Sequence, residues 1–130
     1  MYTFATSSKT ISIFPSLEAN APIIYLNTFS DEGQKVYEAA QAAGCKPFTL
    51  VAIGNLDWNH DMVSWASPSA FKNADPYTGG ANDYLRLPIE EIIPTAEKEI
   101  AGVPCWRGIA GYSLAGLFAL YAIYQTDLFS

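Results

Sequence analysis

The sequence predicts an α/β fold: a mostly parallel sheet with helices on both faces. Two observations carry this. Short continuous apolar runs at residues 23–26 and 48–53 suit strands buried on both sides, each bounded by turn residues. Extended and helical segments then alternate as strand, strand, helix, strand, helix, strand, helix, which is the order that winds helices over a parallel sheet.

The elements follow in order. Residues 10–14 alternate polar and apolar and read as a strand stopped by Pro15. The strand at 23–26 leads into a polar turn at 27–31, with Ser30 as the expected N-cap. A helix is expected over 32–43, with Val36, Ala39, Ala40 and Ala43 on its apolar face and Gly44 ending it. The strand at 48–53 closes at Gly54. A long loop over 55–78, rich in Trp, Asp, Asn, Ser and Pro, has the length of a functional loop or lid. Residues 80–100 read as a helix in two pieces, because Pro88 and Pro94 lack an N–H. Residues 105–112 read as a strand and 114–125 as a helix.

Composition narrows the function. The 130 residues are enough for one domain, with a net charge of -6, 50% hydrophobic residues and only 15% charged ones. An acidic surface repels phosphate backbones, so nucleic acid is not an expected partner. Low charge in a small chain also suits core elements of a larger domain. Cys45 and Cys105 lack the paired spacing of a zinc site, and no cofactor is expected. The uncharged run 108–124 holds Gly108, Gly111 and Gly116 and changes character at Ser113, so it reads as a buried strand turning into a buried helix; no membrane partner is expected. Residues 1–10 lack the pattern of a secretory signal, which makes a cytoplasmic location the expectation.

The chemistry concentrates at residues 111–117, Gly-Tyr-Ser-Leu-Ala-Gly-Leu. This is a variant of G-x-S-x-G, with Ala115 at the fifth place and Gly116 one further on. A serine on a tight strand-to-helix turn needs small residues two before and two after it, and alanine satisfies that need. The alternative is a tight turn with a capping serine; the flanking strand and helix favour the nucleophile. Asp57, Trp58, His60, Asp61 and Trp65 lie in the loop that leaves a strand's carboxyl end, where such folds bind ligands. Trp58, His60, Trp65 and Tyr112 are candidate pocket residues, although the tryptophans could equally pack the loop onto the domain. One His with two Asp is a weak metal signal, and no metal site is assigned.

Residues 109–121, Ile-Ala-Gly-Tyr-Ser-Leu-Ala-Gly-Leu-Phe-Ala-Leu-Tyr, resemble the nucleophile elbow of the putative esterase family, the α/β-hydrolase relatives of enterochelin esterase and esterase D. Ile23 to Asn27 resembles the strand before the oxyanion loop. Asp57 to Asp61 with Trp65 resembles the loop after the next strand, and Tyr84-Leu85 with Ile92-Ile93-Pro94 the helix before the elbow. The resemblance implies a serine hydrolase acting on a small-molecule ester, with Ser113 as nucleophile. The backbone N–H of Leu114, and that of Thr28 or Phe29, would bind the oxyanion. Where the family often has His-Gly, this chain has Asn27-Thr28. The rival readings are a non-catalytic binding protein on the same fold and an acyltransferase using the same elbow.

The triad order in this fold is Ser, acid, His. After Ser113 the chain offers one acid, Asp127, and no histidine. Asp127 lies 14 residues from Ser113, or about 21 Å along a helix. The expectation is therefore a single hydrolase-like domain lacking the C-terminal strands that would carry acid and histidine, inactive as 130 residues alone. An open apolar strand at 105–112 would invite pairing, which makes a homo-oligomer possible.

Overall fold

The computed structural model describes residues 1–69 and 71–129. Its chain order is β1 (Tyr2–Thr6), β2 (Lys9–Phe14), β3 (Ile23–Asn27), α1 (Gly33–Ala42), β4 (Thr49–Gly54), α2 (Trp58–Asp61), β5 (Ala66–Ser67), β6 (Tyr77–Thr78), α3 (Ala81–Leu87), a π-helical turn (Pro88–Ile92), α4 (Ile93–Glu97), β7 (Arg107–Ala110) and α5 (Leu114–Gln125).

The α/β class holds, but the sheet is mixed rather than mostly parallel. Strand order is β1-β2-β4-β3-β7. β1 and β2 form a hairpin, and β2 runs antiparallel to β4. Only β4, β3 and β7 run parallel. Local hydrophobic pattern reports burial and not strand direction, so the antiparallel half was not legible from it. β1 itself was not expected. Its connection is a two-residue turn, Ser7-Ser8, with φ of 47° and 64°, a conformation that Asn-Gly usually announces.

The two faces of the sheet carry separate cores. On one, Ile11, Ile13, Ile23, Tyr25, Val51 and Ile53 meet Tyr84, Ile92, Ala115 and Phe118 from the helices that follow β4. On the other, Phe14, Leu26, Leu50 and Ala52 meet Tyr37 of α1. This alternation is the period of two that a pleated strand imposes. Helices on both faces are thus present. The α1 face differs from expectation: Gly33 and Tyr37 point inward, while Val36, Ala39 and Ala43 are exposed. Tyr37 stacks on Phe14 at 5.1 Å between centroids, and its large ring decides the rotation over the small alanines. At Gly33 a Cβ would lie 2.3 Å from the Ala52 Cβ, so this helix end approaches β4 only because it has none.

The segment expected as a helix in two pieces is divided at Pro88 into α3 and α4, joined by the π-helical turn, whose Ile93 N–H reaches the Pro88 carbonyl. Widening the helix by one residue per turn accommodates a proline that cannot donate. Beneath β7, Arg107 makes a two-pronged bond to Glu97, Nε to Oε2 at 2.7 Å and Nη2 to Oε1 at 2.8 Å, and the Tyr25 hydroxyl donates to the same Oε2 at 2.8 Å. This ties β7 and β3 to α4 and fixes the strand that delivers Ser113. Burial, then the neighbouring Glu97 charge, pushes the Tyr25 phenol far above its ordinary value, so it stays a donor.

Candidate active site

Ser113 stands between β7 and α5 with φ 53° and ψ -127°. A residue with a Cβ is rarely found there, and such strain costs on the order of 1–3 kcal/mol. The surroundings hold it. A Cβ on Gly111 would come within 2.4 Å of the Ala115 carbonyl carbon and oxygen, so strand and helix touch backbone to backbone. Ala115 is fully buried. The small residues at 111 and 115 are therefore what lets the chain turn so sharply, and Ser113 is left exposed at the tip.

The Leu114 N–H opens α5 and makes no hydrogen bond among the described residues, whereas the next amide, Ala115 N–H, already turns back to the Tyr112 carbonyl at 3.0 Å. A free amide at a helix start favours negative charge. The facing loop leaves β3. The Thr28 N–H donates to the Ile53 carbonyl at 2.9 Å, and its hydroxyl donates to the same oxygen at 2.9 Å. Thr28 is fully buried. Its amide is thus committed to the sheet, which leaves Phe29 as the loop amide facing outward.

Ser30 does not cap α1. That position is taken by Glu32, which makes no side-chain cap bond and instead turns its carboxylate back onto the loop. The Phe29 N–H donates to Glu32 Oε1 at 2.9 Å and the Ser30 N–H to Oε2 at 2.7 Å. The Tyr112 hydroxyl also donates to Oε1. Partial desolvation opposes ionisation of Glu32, but the bonds from Tyr112, Phe29 and Ser30 outweigh it and hold the carboxyl below its ordinary value. No sequence rule pointed to Glu32; only the fold of the loop, with Asp31 at φ 62°, turns it back.

Ser113 and Leu114 open into a cavity of about 410 Å³ walled by Phe29, Trp58, Phe71, Tyr77 and Tyr112. Phe29 stacks on Trp58 at 5.1 Å, and Trp58 leans on Tyr112 at 6.0 Å. Beyond the Phe29–Trp58 stack lies a more polar recess of about 590 Å³, bordered by Asp57, Asn59, Asn73 and Asp75. Of the candidate pocket residues, the structure brings Trp58 and Tyr112 to Ser113. Trp65 lines a different hollow of about 190 Å³ with Met62, Leu117 and Leu120. His60 borders neither space.

His60 and the two aspartates are held by the fold. The long loop carries α2 and the β5–β6 ladder, so it is not without structure. His60 Nδ1 pairs with Thr78 Oγ1 at 2.7 Å, and a Cβ on Gly80 would fall 2.2 Å from its Nε2, so the ring lies flat against α3's start. Asp61 is buried, bound to Lys9 Nζ at 2.7 Å and to the Asp57 N–H at 2.9 Å. Among the described residues no three His, Cys, Asp or Glu side chains are grouped to hold a metal. Asn27, fully buried, accepts from the Tyr84 hydroxyl at 2.5 Å, while its Nδ2 has no partner among the described residues. No helix among them is long and apolar enough to cross a membrane.

A sharp serine turn between a parallel strand and a helix, above a mixed sheet, is the architecture of an α/β-hydrolase. The family model described as "Putative esterase" matches residues 25–130, and the chain belongs to that family. No curated protein matches it. Among solved structures it is similar to the BES protein from Bacillus cereus, at 21% identity and a TM-score of 0.74, over 98% of this chain and 59% of that one. It is similar to an IroE-like serine hydrolase from Shewanella oneidensis, at 19% identity and a TM-score of 0.74, over 94% of this chain and 44% of that one. A third is the siderophore hydrolase EstA from Aspergillus nidulans, at 17% identity and a TM-score of 0.68, over 96% of this chain and 52% of that one. The chain thus spans about half the length of the structures it matches.

Proposed function

We propose that the whole protein is a serine esterase with Ser113 as its nucleophile. The observation that carries this reading is the backbone of Ser113, held at φ 53° on an exposed tip beside a free helix-start amide. The positive φ is combined with ψ -127°, outside the left-handed helical region that ordinary turns use. The Ser113 Oγ attacks the acyl carbon of the ester, and its proton passes to a general base. Electrons move onto the carbonyl oxygen, for which the Leu114 amide, and the Phe29 amide once freed from Glu32, are the donors in this reading. Loss of one such donor costs about 3–4 kcal/mol of transition-state stabilisation. Collapse of the intermediate expels the alcohol and leaves the acyl group on Ser113; water then releases the acid.

The cavity walled by Phe29, Trp58 and Tyr112 suits an apolar or ring-bearing group, and the recess beside Asp57 and Asp75 suits a hydroxylated one. A siderophore hydrolase is among the structural neighbours, which supports a hydrolase reading. The general base is not assigned to His60, whose ring is engaged by Thr78 and Gly80. The test compares hydrolysis of a chromogenic short-chain ester by residues 1–130 and by the full-length protein, with a fluorophosphonate probe on the latter. Activity and labelling at Ser113 are expected in the full-length protein. Full activity in the short chain, lost in His60→Ala, would make His60 the base; labelling that survives Ser113→Ala would remove Ser113 from the mechanism.

A further inference from the structure

We propose that Glu32 is a built-in occupant of the oxyanion site: at rest its carboxylate holds the Phe29 amide, and a substrate must turn it out before the ester carbonyl can be received. The inference rests on the assignment of Phe29 as an oxyanion donor.

A carboxylate oxygen and the oxygen of a tetrahedral intermediate ask for the same thing, which is N–H and O–H donors directed at one negative atom. Glu32 Oε1 has that arrangement, with the Phe29 N–H at 2.9 Å and the Tyr112 hydroxyl donating to the same atom. The Phe29 N–H also donates to the Tyr112 hydroxyl oxygen at 3.3 Å, which draws the amide and the hydroxyl together around Oε1. The second carboxylate oxygen takes the Ser30 N–H at 2.7 Å. Tyr112 directly precedes Ser113, and both border the same cavity. Glu32 has no cation within ion-pair distance among the described residues; amides and a hydroxyl alone hold its charge. It does not bond to α1 as a cap, so turning it out breaks no bond to the helix.

An occupant that must leave lowers the competent fraction of the protein, and the apparent affinity falls by that fraction. A residue that only shaped the loop would act oppositely, since its removal would disorder Phe29 and slow the reaction. The two roles therefore separate by sign.

The experiment measures the rate of Ser113 labelling by a fluorophosphonate, and kcat/KM on a short-chain chromogenic ester, in full-length wild type, Glu32→Gln and Glu32→Ala. Circular dichroism checks that each is folded. The expected result is faster labelling in both variants, roughly three- to tenfold in Glu32→Ala and less in Glu32→Gln, which keeps an acceptor but loses the charge. Unchanged or slower labelling in folded Glu32→Gln, with wild type labelled normally, overturns the Glu32 proposal and leaves Ser113 as nucleophile. Failure of all three proteins to label at Ser113 overturns the nucleophile assignment and the Glu32 proposal with it.

Discussion

The elbow at Ser113 and the cluster at Asp57, His60 and Asp61 both gather reactive side chains on one end of the sheet, and they differ in what their polar groups are doing. In the cluster the buried aspartate and the histidine are answered, and Asp57 is bonded through its backbone. Asp61 is bound by Lys9 and by the Asp57 amide, and His60 by Thr78. At the elbow the backbone is strained, the serine is exposed, and the Leu114 amide has no partner among the described residues. Folding drives polar groups to pair, because an unpaired one in a buried place is costly. A strained, exposed serine beside an unanswered amide is therefore the better candidate for chemistry than a richer cluster whose histidine and buried aspartate are already engaged.

The largest effect that would break this contrast is at Ser113. In the full-length protein Ser113→Ala is expected to lower ester kcat by about 10⁴-fold or more, as removal of a serine nucleophile does. Retained turnover would place the elbow on the same structural footing as the cluster. Asp61→Ala is expected to act the other way round. Lys9 and Asp61 are 13% and 9% exposed, so deletion strands a nearly buried ammonium and should destabilise by roughly 3 kcal/mol in urea unfolding. At a temperature where the variant remains folded, kcat/KM should stay within about twofold of wild type, an effect of under about 0.5 kcal/mol. A large fall in kcat in the folded variant would return Asp61 to the chemistry.

Gly111 tests the frame that holds the serine. A Cβ there meets the Ala115 backbone at 2.4 Å, and backbone cannot yield as a side chain can. Gly111→Ala should cost about 2 kcal/mol of stability and also lower kcat, because the strand–helix junction must open. Unchanged stability would mean that the junction is looser than its geometry.

Much of this frame was legible in the sequence, and the losses have distinct causes. The helix at 114–125 matches α5, because a glycine-bounded junction marks its start and the run beyond it contains no breaker. The parallel strands lie within a residue or two of the apolar runs. The β1–β2 hairpin was hidden because Ser7-Ser8 lacks the glycine that usually signals such a turn. The α1 face was misjudged because alanines mark a helix without marking its buried side, and Tyr37 sets the rotation. Motif and loop position pointed to Ser113, Leu114, Trp58 and Tyr112, which border one cavity. His60 and Trp65 could not be separated from them, since their exclusion depends on Gly80, Thr78 and α5 brought in by the fold. Glu32 was invisible because its role depends on a backbone reversal at Asp31.

The smallest effect concerns how firmly that carboxylate is held. The ordinary value is 4.5 and the folded value lies below it, because the hydrogen bonds of Tyr112, Phe29 and Ser30 overcome partial desolvation. A depressed folded pKa means that the unfolded chain binds the proton more readily. The stability from Glu32 is therefore fully present above the unfolded value and fades as pH falls through the folded one. The group is only partly buried and solvent screens it, so the whole effect should stay under about 1 kcal/mol. Urea midpoints of wild type and Glu32→Gln should differ by the same small amount, wild type higher, at pH 7 and 5.5. The gap should shrink at pH 3.5, within the window below 4.5 where the folded carboxylate begins to protonate. A gap that persists or widens at pH 3.5 would show that the carboxylate is not held by these donors in solution, and the contrast between an engaged loop amide and a free helix amide would lose its basis.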